Sequence, residues 1–229
     1  MAAPRQPVPP AMRIRITFSK SGALIYISNL DLYTLWERAA RRAGLPLSYS
    51  QGFHPQPKIH FASPLPLGFS SVCEVMEMRL DQQMECQEVF ARLDRVLPPG
   101  LRVLGAEQVD ERGPAVQTQV LSADYEVIIP QSVELDDLGQ RVRSLLSAAS
   151  LPRERRGRPY DLRPLIEDLD AALAGGHEVV LHMRLRAQEG ATGRPDEVLE
   201  ALGVDRMRVR IERTALHFKG TAAEAGSAG

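Results

Sequence analysis

The sequence predicts an α+β fold made of two tandem ferredoxin-like (βαββαβ) units with antiparallel sheets, and three observations carry that prediction. Strand-like and helix-like stretches follow one another in the order β-α-β-β-α-β, and the same order then repeats. Corresponding elements of the two halves lie roughly 105 residues apart, although residue identity is not visibly repeated. The strands alternate apolar and polar residues, which suits antiparallel sheets covered on one face only. The expected units are residues 12–115 and 116–219, flanked by tails at 1–11 and 220–229. Both tails are rich in small residues and lack periodicity, so they are expected to be disordered.

Each element has a local reason. In residues 12–18, Ile14, Ile16 and Phe18 share one face and Arg13, Arg15 and Thr17 the other. Ser28 with Asp31 forms a weak capping box ahead of a helix whose Leu32, Leu35, Trp36, Ala39 and Ala43 recur at helical spacing. Gly44 and Pro46 end it. Short extended segments near 45–50 and 58–62 follow, split by Gly52 and Pro55. Residues 74–80 put Met76, Met78 and Leu80 on one face and Glu77 and Arg79 on the other. A second helix buries Cys86, Phe90, Leu93 and Leu97 and stops at 98–100, and a strand over 101–109 closes the half.

The second half predicts a strand near 121–129 and a helix over about 133–149, then an irregular stretch over 151–169. A strand near 178–187, a short helix from Pro195 and a final strand over 206–213 complete it, with Met207, Val209 and Ile211 inward.

Composition narrows the function. With 229 residues, 44% hydrophobic and 25% charged, the chain can bury its own cores. No apolar run approaches the length of a membrane span, and the N-terminus lacks the apolar core of a secretory signal. Two cysteines, Cys73 and Cys86, make neither a disulfide framework nor a four-cysteine metal site, and a cytoplasmic location is expected. There is no P-loop, no G-x-G-x-x-G and no zinc or iron–sulfur signature, so no cofactor and no metal are expected.

The net charge of -1 conceals segregation. Residues 13–58 carry a net +5, 153–163 a net +3 and 206–219 a net +4. Strand alternation puts Arg13, Arg15, Thr17, Glu77 and Arg79 on the open face of the first half, and His182, Arg184, Arg186, Arg206, Arg208 and Arg210 on that of the second. Such faces track phosphates, or else are solvated sheet faces or make Arg–Glu pairs between the two domains. Without exposed aromatic pairs on the strands, backbone contact is favoured over base stacking there.

The densest segment is 48–68, which packs Tyr49, Phe53, His54, Lys58, His60 and Phe61 among prolines. A stiffened loop of rings and cations suits single-stranded RNA, with rings on bases and Lys58 on phosphate. The competing reading is a long connection pinned to the core by Phe53, Phe61, Leu65 and Leu67. The basic run RERRGRPYDLR, with Arg153, Arg155, Arg156, Arg158 and Tyr160, reads as a phosphate clamp or a solvated hairpin tip. A metal-independent ribonuclease would use His54 or His60 as general base with Lys58 or Tyr49 as its partner at the reacting phosphate.

Several motifs resemble a known family. F-S-K-x-G at 18–22, S-x-L-D-L at 28–32, R-R-A-G-L-P at 41–46, Y-S-Q-G-F-H-P-x-P-K at 49–58 and P-L-G at 66–68 resemble the opening of the bacterial radical-SAM-linked domain of unknown function. The match is specific over about 12–110 and looser to about 218. That domain is often the C-terminal part of a radical SAM protein or encoded beside one. The resemblance therefore implies a bacterial protein with a radical SAM partner, in a stand-alone form without the cluster-binding cysteines. Frequent gene neighbours for ribosomal proteins and a ribonuclease tilt the family toward RNA. The tandem arrangement also resembles that of CRISPR repeat-processing endoribonucleases, by fold analogy alone.

The expectation is thus a non-catalytic RNA-binding accessory, for tRNA or rRNA, working with a radical SAM partner. Its contacts are Arg13, Arg15, Tyr49, Phe53, His54, Lys58, Arg153, Arg155, Arg156 and Arg158, converging in one cationic trough. The alternatives are an endoribonuclease using His54, Lys58 and His60, and a protein-interaction module only.

Overall fold

The computed structural model describes residues 11–129, 134–174, 178–188 and 190–220. Apart from Ala11 and Gly220, the two tails expected to be disordered lie outside these residues. The fold is mixed α+β with mostly antiparallel strand pairing. The chain divides into two compact units: residues up to Leu67 with Glu74–Gln117, and Gly68–Cys73 with residues from Thr118 on.

The first unit holds β1 (Met12–Lys20), α1 (Asn29–Arg42), β2 (Ile59–Phe61), β3 (Ser70–Leu80, from Glu74), α2 (Cys86–Asp94) and β4 (Leu101–Val109). Its strand order is β2-β3-β1-β4, with β2–β3 and β1–β4 antiparallel. α1 begins where the sequence places it. The Ser28 side chain accepts from the Asp31 amide and the Asp31 carboxylate accepts from the Ser28 amide. It ends in a Schellman turn, Leu45 N–H to Ala40 and Gly44 N–H to Arg41, with Gly44 at a φ of 66° that a side chain would resist. The helix buries Leu32, Trp36, Ala39 and Ala40, and Trp36 meets Phe18 of β1 edge-on at 4.9 Å between centroids. Ile14, Ile16, Met76, Met78 and Leu93 complete this core.

The second unit holds β5 (Val120–Ile129), α3 (Leu135–Ser147), β6 (Pro152–Arg155), β7 (Arg158–Asp161), β8 (Ile166–Ala174), β9 (Glu178–Gln188), β10 (Ala191–Thr192), α4 (Pro195–Ala201) and β11 (Arg210–Phe218). Its main strand order is β8-β9-β5-β11, each neighbouring pair antiparallel. The first residues of β3 pair parallel with β11 at Ser70–Glu212 and Ser71–Arg213. β10 pairs with the end of β9.

Three expectations need correction. The stretch 151–169 is not irregular: β6 and β7 form a hairpin around Arg156 (φ 54°) and Gly157 (φ 74°), the positive-φ pair of a tight hairpin turn. β8 then starts with a bulge between Ile166 and Asp168 that breaks the two-residue period. The final strand does not begin at Arg206. Asp205 caps a 3-10 turn over Arg206–Arg208 by accepting from the Met207 amide, so Met207 stands 89% exposed and β11 starts at Arg210.

The third correction concerns the strand faces. Arg13, expected to point outward, is buried, and Arg15 is half-buried. Both lie on Glu77 of β3, which is itself buried.

Candidate nucleic-acid interface

The loop between α1 and β2 is ordered by its own hydrogen bonds. Lys58 donates its amide to the Ser48 carbonyl and Ser50 donates to Gln56, while the Gln56 amide donates to the Ser50 hydroxyl. Pro57 bridges Tyr49, and its carbonyl accepts from the Tyr33 hydroxyl of α1 at 2.6 Å. Burial of Tyr33, with Glu37 and Tyr49 nearby, pushes its phenol above the ordinary value. The Ser48 hydroxyl hydrogen-bonds Asp81 at the loop's root. The prolines at 55 and 57 restrict this connection further.

From this base the tip projects into solvent. Phe53 is fully exposed, so it does not pin the loop to the core. His54 beside it is exposed and meets no partner among the described residues. Tyr49 is engaged: its hydroxyl accepts from Arg41 Nε at 3.0 Å and the Arg41 guanidinium lies over its ring. Arg41 itself is held by Glu37 one turn earlier.

Lys58 and His60 sit at the foot of the loop and share a cleft of about 150 Å³ with Arg13, Glu77, Arg79 and Val116. His54 is not among the residues lining it. In this cleft Arg13 has no donor to spare. Its Nε and Nη2 bond Glu77 at 2.8 and 2.5 Å, and its terminal nitrogens reach the carbonyls of Asp110, Gly113 and Pro114. Arg15 takes the other Glu77 oxygen at 2.9 Å and lies 3.7 Å from Glu107. Neither arginine presents a free cationic face.

The sheet face of the second unit is likewise neutralised across its strands. Arg184 pairs with Asp124, Arg186 with Glu167, His182 with Glu126 and Arg210 with Glu178. Arg206 lies 3.9 Å from Asp196. His217 Nε2 also lies 2.9 Å from Asp124 Oδ2. Burial pushes the Asp124 carboxyl up, but the hydrogen bonds and charges of Arg184 and His217 outweigh it and hold it below the usual range. These strand arginines are therefore tied to carboxylates of their own unit.

The β6–β7 hairpin divides its arginines. Arg155 is locked: it bonds both Glu197 oxygens, at 3.1 and 2.6 Å, and lies 4.8 Å over the Tyr160 ring. Burial and Glu197 push the Tyr160 phenol up to about 12. Arg153 is half-buried and donates to the Pro152 carbonyl. Arg156 and Arg158 at the tip are exposed and have no partner among the described residues.

Of the residues expected to bind nucleic acid, the first unit thus brings together Phe53 and His54 at one tip with Lys58 below. The second unit keeps Arg156 and Arg158 free. Sequence reasoning gave no role to Arg41, which orders Tyr49, and placed Arg79 on the open face without its position opposite Lys58. The helical spacing of Glu37 and Arg41 and the alternation of β3 were the available signals.

Among the described residues, no group of three His, Cys, Asp or Glu is placed to hold a metal, and no helix is long and apolar enough to cross a membrane. Cys73 and Cys86 form no disulfide among the described residues.

A family model described as "Uncharacterized protein conserved in bacteria (DUF2344)" matches residues 13–195. No curated protein matches the sequence. Among solved structures, the chain is similar to one chain of a Cbf5-Nop10-Gar1 complex, with a TM-score of 0.47 and 13% identity over 89% of this chain. It is also similar to a chain of the archaeal box H/ACA sRNP Nop10-Cbf5 complex, with a TM-score of 0.43 and 12% identity over 89% of this chain. The matches cover 48% and 47% of those chains, about half their length.

Proposed function

The chain belongs to the bacterial family of uncharacterized proteins DUF2344, and from that premise we propose that it is a non-catalytic RNA-binding module acting beside a radical SAM partner. The observation that supports this reading best is Phe53: a fully exposed ring on a loop fastened by backbone hydrogen bonds. An isolated exposed ring is unremarkable on a mobile chain. Held on a stiff loop, with His54 beside it and Lys58 at its foot, it is a platform for an unstacked base. Because the loop is ordered beforehand, binding need not supply the entropy of fixing it.

Phosphate contacts come from cations that are free of carboxylates. Of the cations expected at the interface, those that no carboxylate holds are Lys58 in the first unit and Arg156 and Arg158 of the hairpin tip in the second. Arg13, Arg15 and Arg155 are scaffold: they position strands and hairpin and do not reach the ligand. The RNA substrate is a single-stranded region of tRNA or rRNA, since a stacking tip reads splayed bases better than a duplex. The radical SAM partner rests on the motif resemblance over residues 12–110. The finer fold reading, two tandem ferredoxin-like units, is supported by the strand orders β2-β3-β1-β4 and β8-β9-β5-β11, which are the same permutation.

Filter binding of labelled single-stranded RNA across a salt series tests this function. Affinity that falls by about 0.7 log unit per released contact for each tenfold rise in salt is expected, with the RNA recovered intact. No affinity at low salt removes the reading. Cleavage without metal that His60→Ala abolishes would replace it with the endoribonuclease.

A further inference from the structure

We propose that the cleft at the foot of the loop is a phosphate subsite. The inference rests on the RNA-binding reading for the identity of the ligand, not for the site itself.

The cleft wall is the β2–β3 ladder. Ile59 pairs with Met78 and His60 with Glu77, and the Arg79 amide donates to the Lys58 carbonyl at 3.0 Å. Lys58 therefore stands directly opposite Arg79, and His60 shares its face two residues on. Like charges opposite one another on a sheet are destabilising. Such a pair is tolerable if a negative group sits between them.

Arg79 has Glu111, but no carboxylate among the described residues pairs with Lys58. Glu77 is the nearest carboxylate across the ladder, but its two oxygens are taken by Arg13 and Arg15. Glu111 serves Arg79 alone, with Oε2 at 2.9 Å from Nη1 and its carbonyl accepting from Nη2. That contact fixes the guanidinium against the cleft and leaves the Lys58 ammonium without a counter-charge among the described residues. His60 is exposed and also lacks a partner there. Three cationic side chains line the cleft, Arg13 held by Glu77, Arg79 by Glu111 and Lys58 by no carboxylate among the described residues, with the His60 imidazole beside them. A volume of about 150 Å³ admits a group several times the size of water.

The ligand chemistry is a tetrahedral phosphate. The Lys58 ammonium would bind its oxygens as a point charge, and Arg79 would add only the donors that Glu111 leaves open. On a strand whose base stacks on Phe53, the group is a phosphodiester of the RNA backbone. In the absence of RNA, a free phosphomonoester presents the same oxygens.

The test uses the full chain with Lys58→Ala, Lys58→Arg and Phe53→Ala. The probes are a short fluorescent oligouridylate and inorganic phosphate, with chloride at matched ionic strength as the control. Lys58→Ala is expected to weaken RNA binding about tenfold and to lower the salt slope by about 0.7. Lys58→Arg is expected to retain most of the affinity. Inorganic phosphate, but not chloride, should displace the RNA from the wild type. If Phe53→Ala weakens RNA binding while Lys58→Ala and phosphate leave it unchanged, the subsite is wrong and the loop reading stands. If RNA does not bind, yet phosphate raises the melting temperature of the wild type and not of Lys58→Ala, the subsite stands for small phosphate ligands and the RNA reading falls. If neither probe binds, the subsite is overturned.

Discussion

Arg13 Nε and Nη2 both donate to one oxygen of Glu77, at 2.8 and 2.5 Å, with the two side chains only 6% and 3% exposed. This pair turns a strand face that alternation assigns to solvent into interior. It also ties the turn over residues 110–114 to β1 through three carbonyls.

Removing one member leaves a buried charge without its partner. Glu77→Leu should therefore destabilise the protein by about 3–5 kcal/mol, because Arg13 stays buried and uncompensated. The double variant Arg13→Met with Glu77→Leu should lose distinctly less, since no orphan charge remains. Urea midpoints of the two variants check this. Equal losses would mean that the pair acts by packing alone.

Asp124 gives the second unit a pH dependence of definite sign. Its carboxyl titrates below its unfolded value, so its stabilisation is fully present above that value and is lost as pH falls through the folded one. The gap in urea midpoint between wild type and Asp124→Asn should be widest at neutral pH and close below about pH 4. A gap constant across that window would show that Arg184 and His217 do not bias the titration.

Arg156 sets stability against binding. It holds a φ of 54° at the hairpin tip, where a side chain costs about 1–2 kcal/mol relative to the relaxed backbone. Arg156→Gly should raise stability by up to about 1 kcal/mol after the entropy cost of glycine. The same change should weaken RNA binding and lower its salt slope by about 0.7. Thermal melts and a salt series on one preparation would show the opposing signs. A variant that gains stability and keeps its affinity excludes the tip from the interface.

How far the sequence reached depends on what each feature is made of. Local chemistry was readable. Ser28 and Asp31 cap α1, Gly44 ends it, and the strand over residues 101–109 falls where its residues place it. Alternation gave the face of Arg13 but not its neighbour, because Glu77 is 64 residues away and nothing in a two-residue period names a cross-strand partner. The start of β11 was misplaced because Asp205 diverts the chain into a 3-10 turn, a local competitor that apolar spacing does not register. β8 was missed because its bulge breaks the period. The loop over residues 48–58 was legible as a candidate by its rings and prolines. Whether Phe53 pointed inward or outward was not, since an aromatic among prolines serves either role.

The central claim is that Phe53 stacks on RNA. Fluorescence anisotropy of a short single-stranded RNA with wild type and Phe53→Ala, at matched thermal stability, tests it most directly. A loss of about 1–3 kcal/mol in binding, with the salt slope unchanged, is predicted, because the ring contributes stacking and no charge. Unchanged affinity in Phe53→Ala would contradict the account.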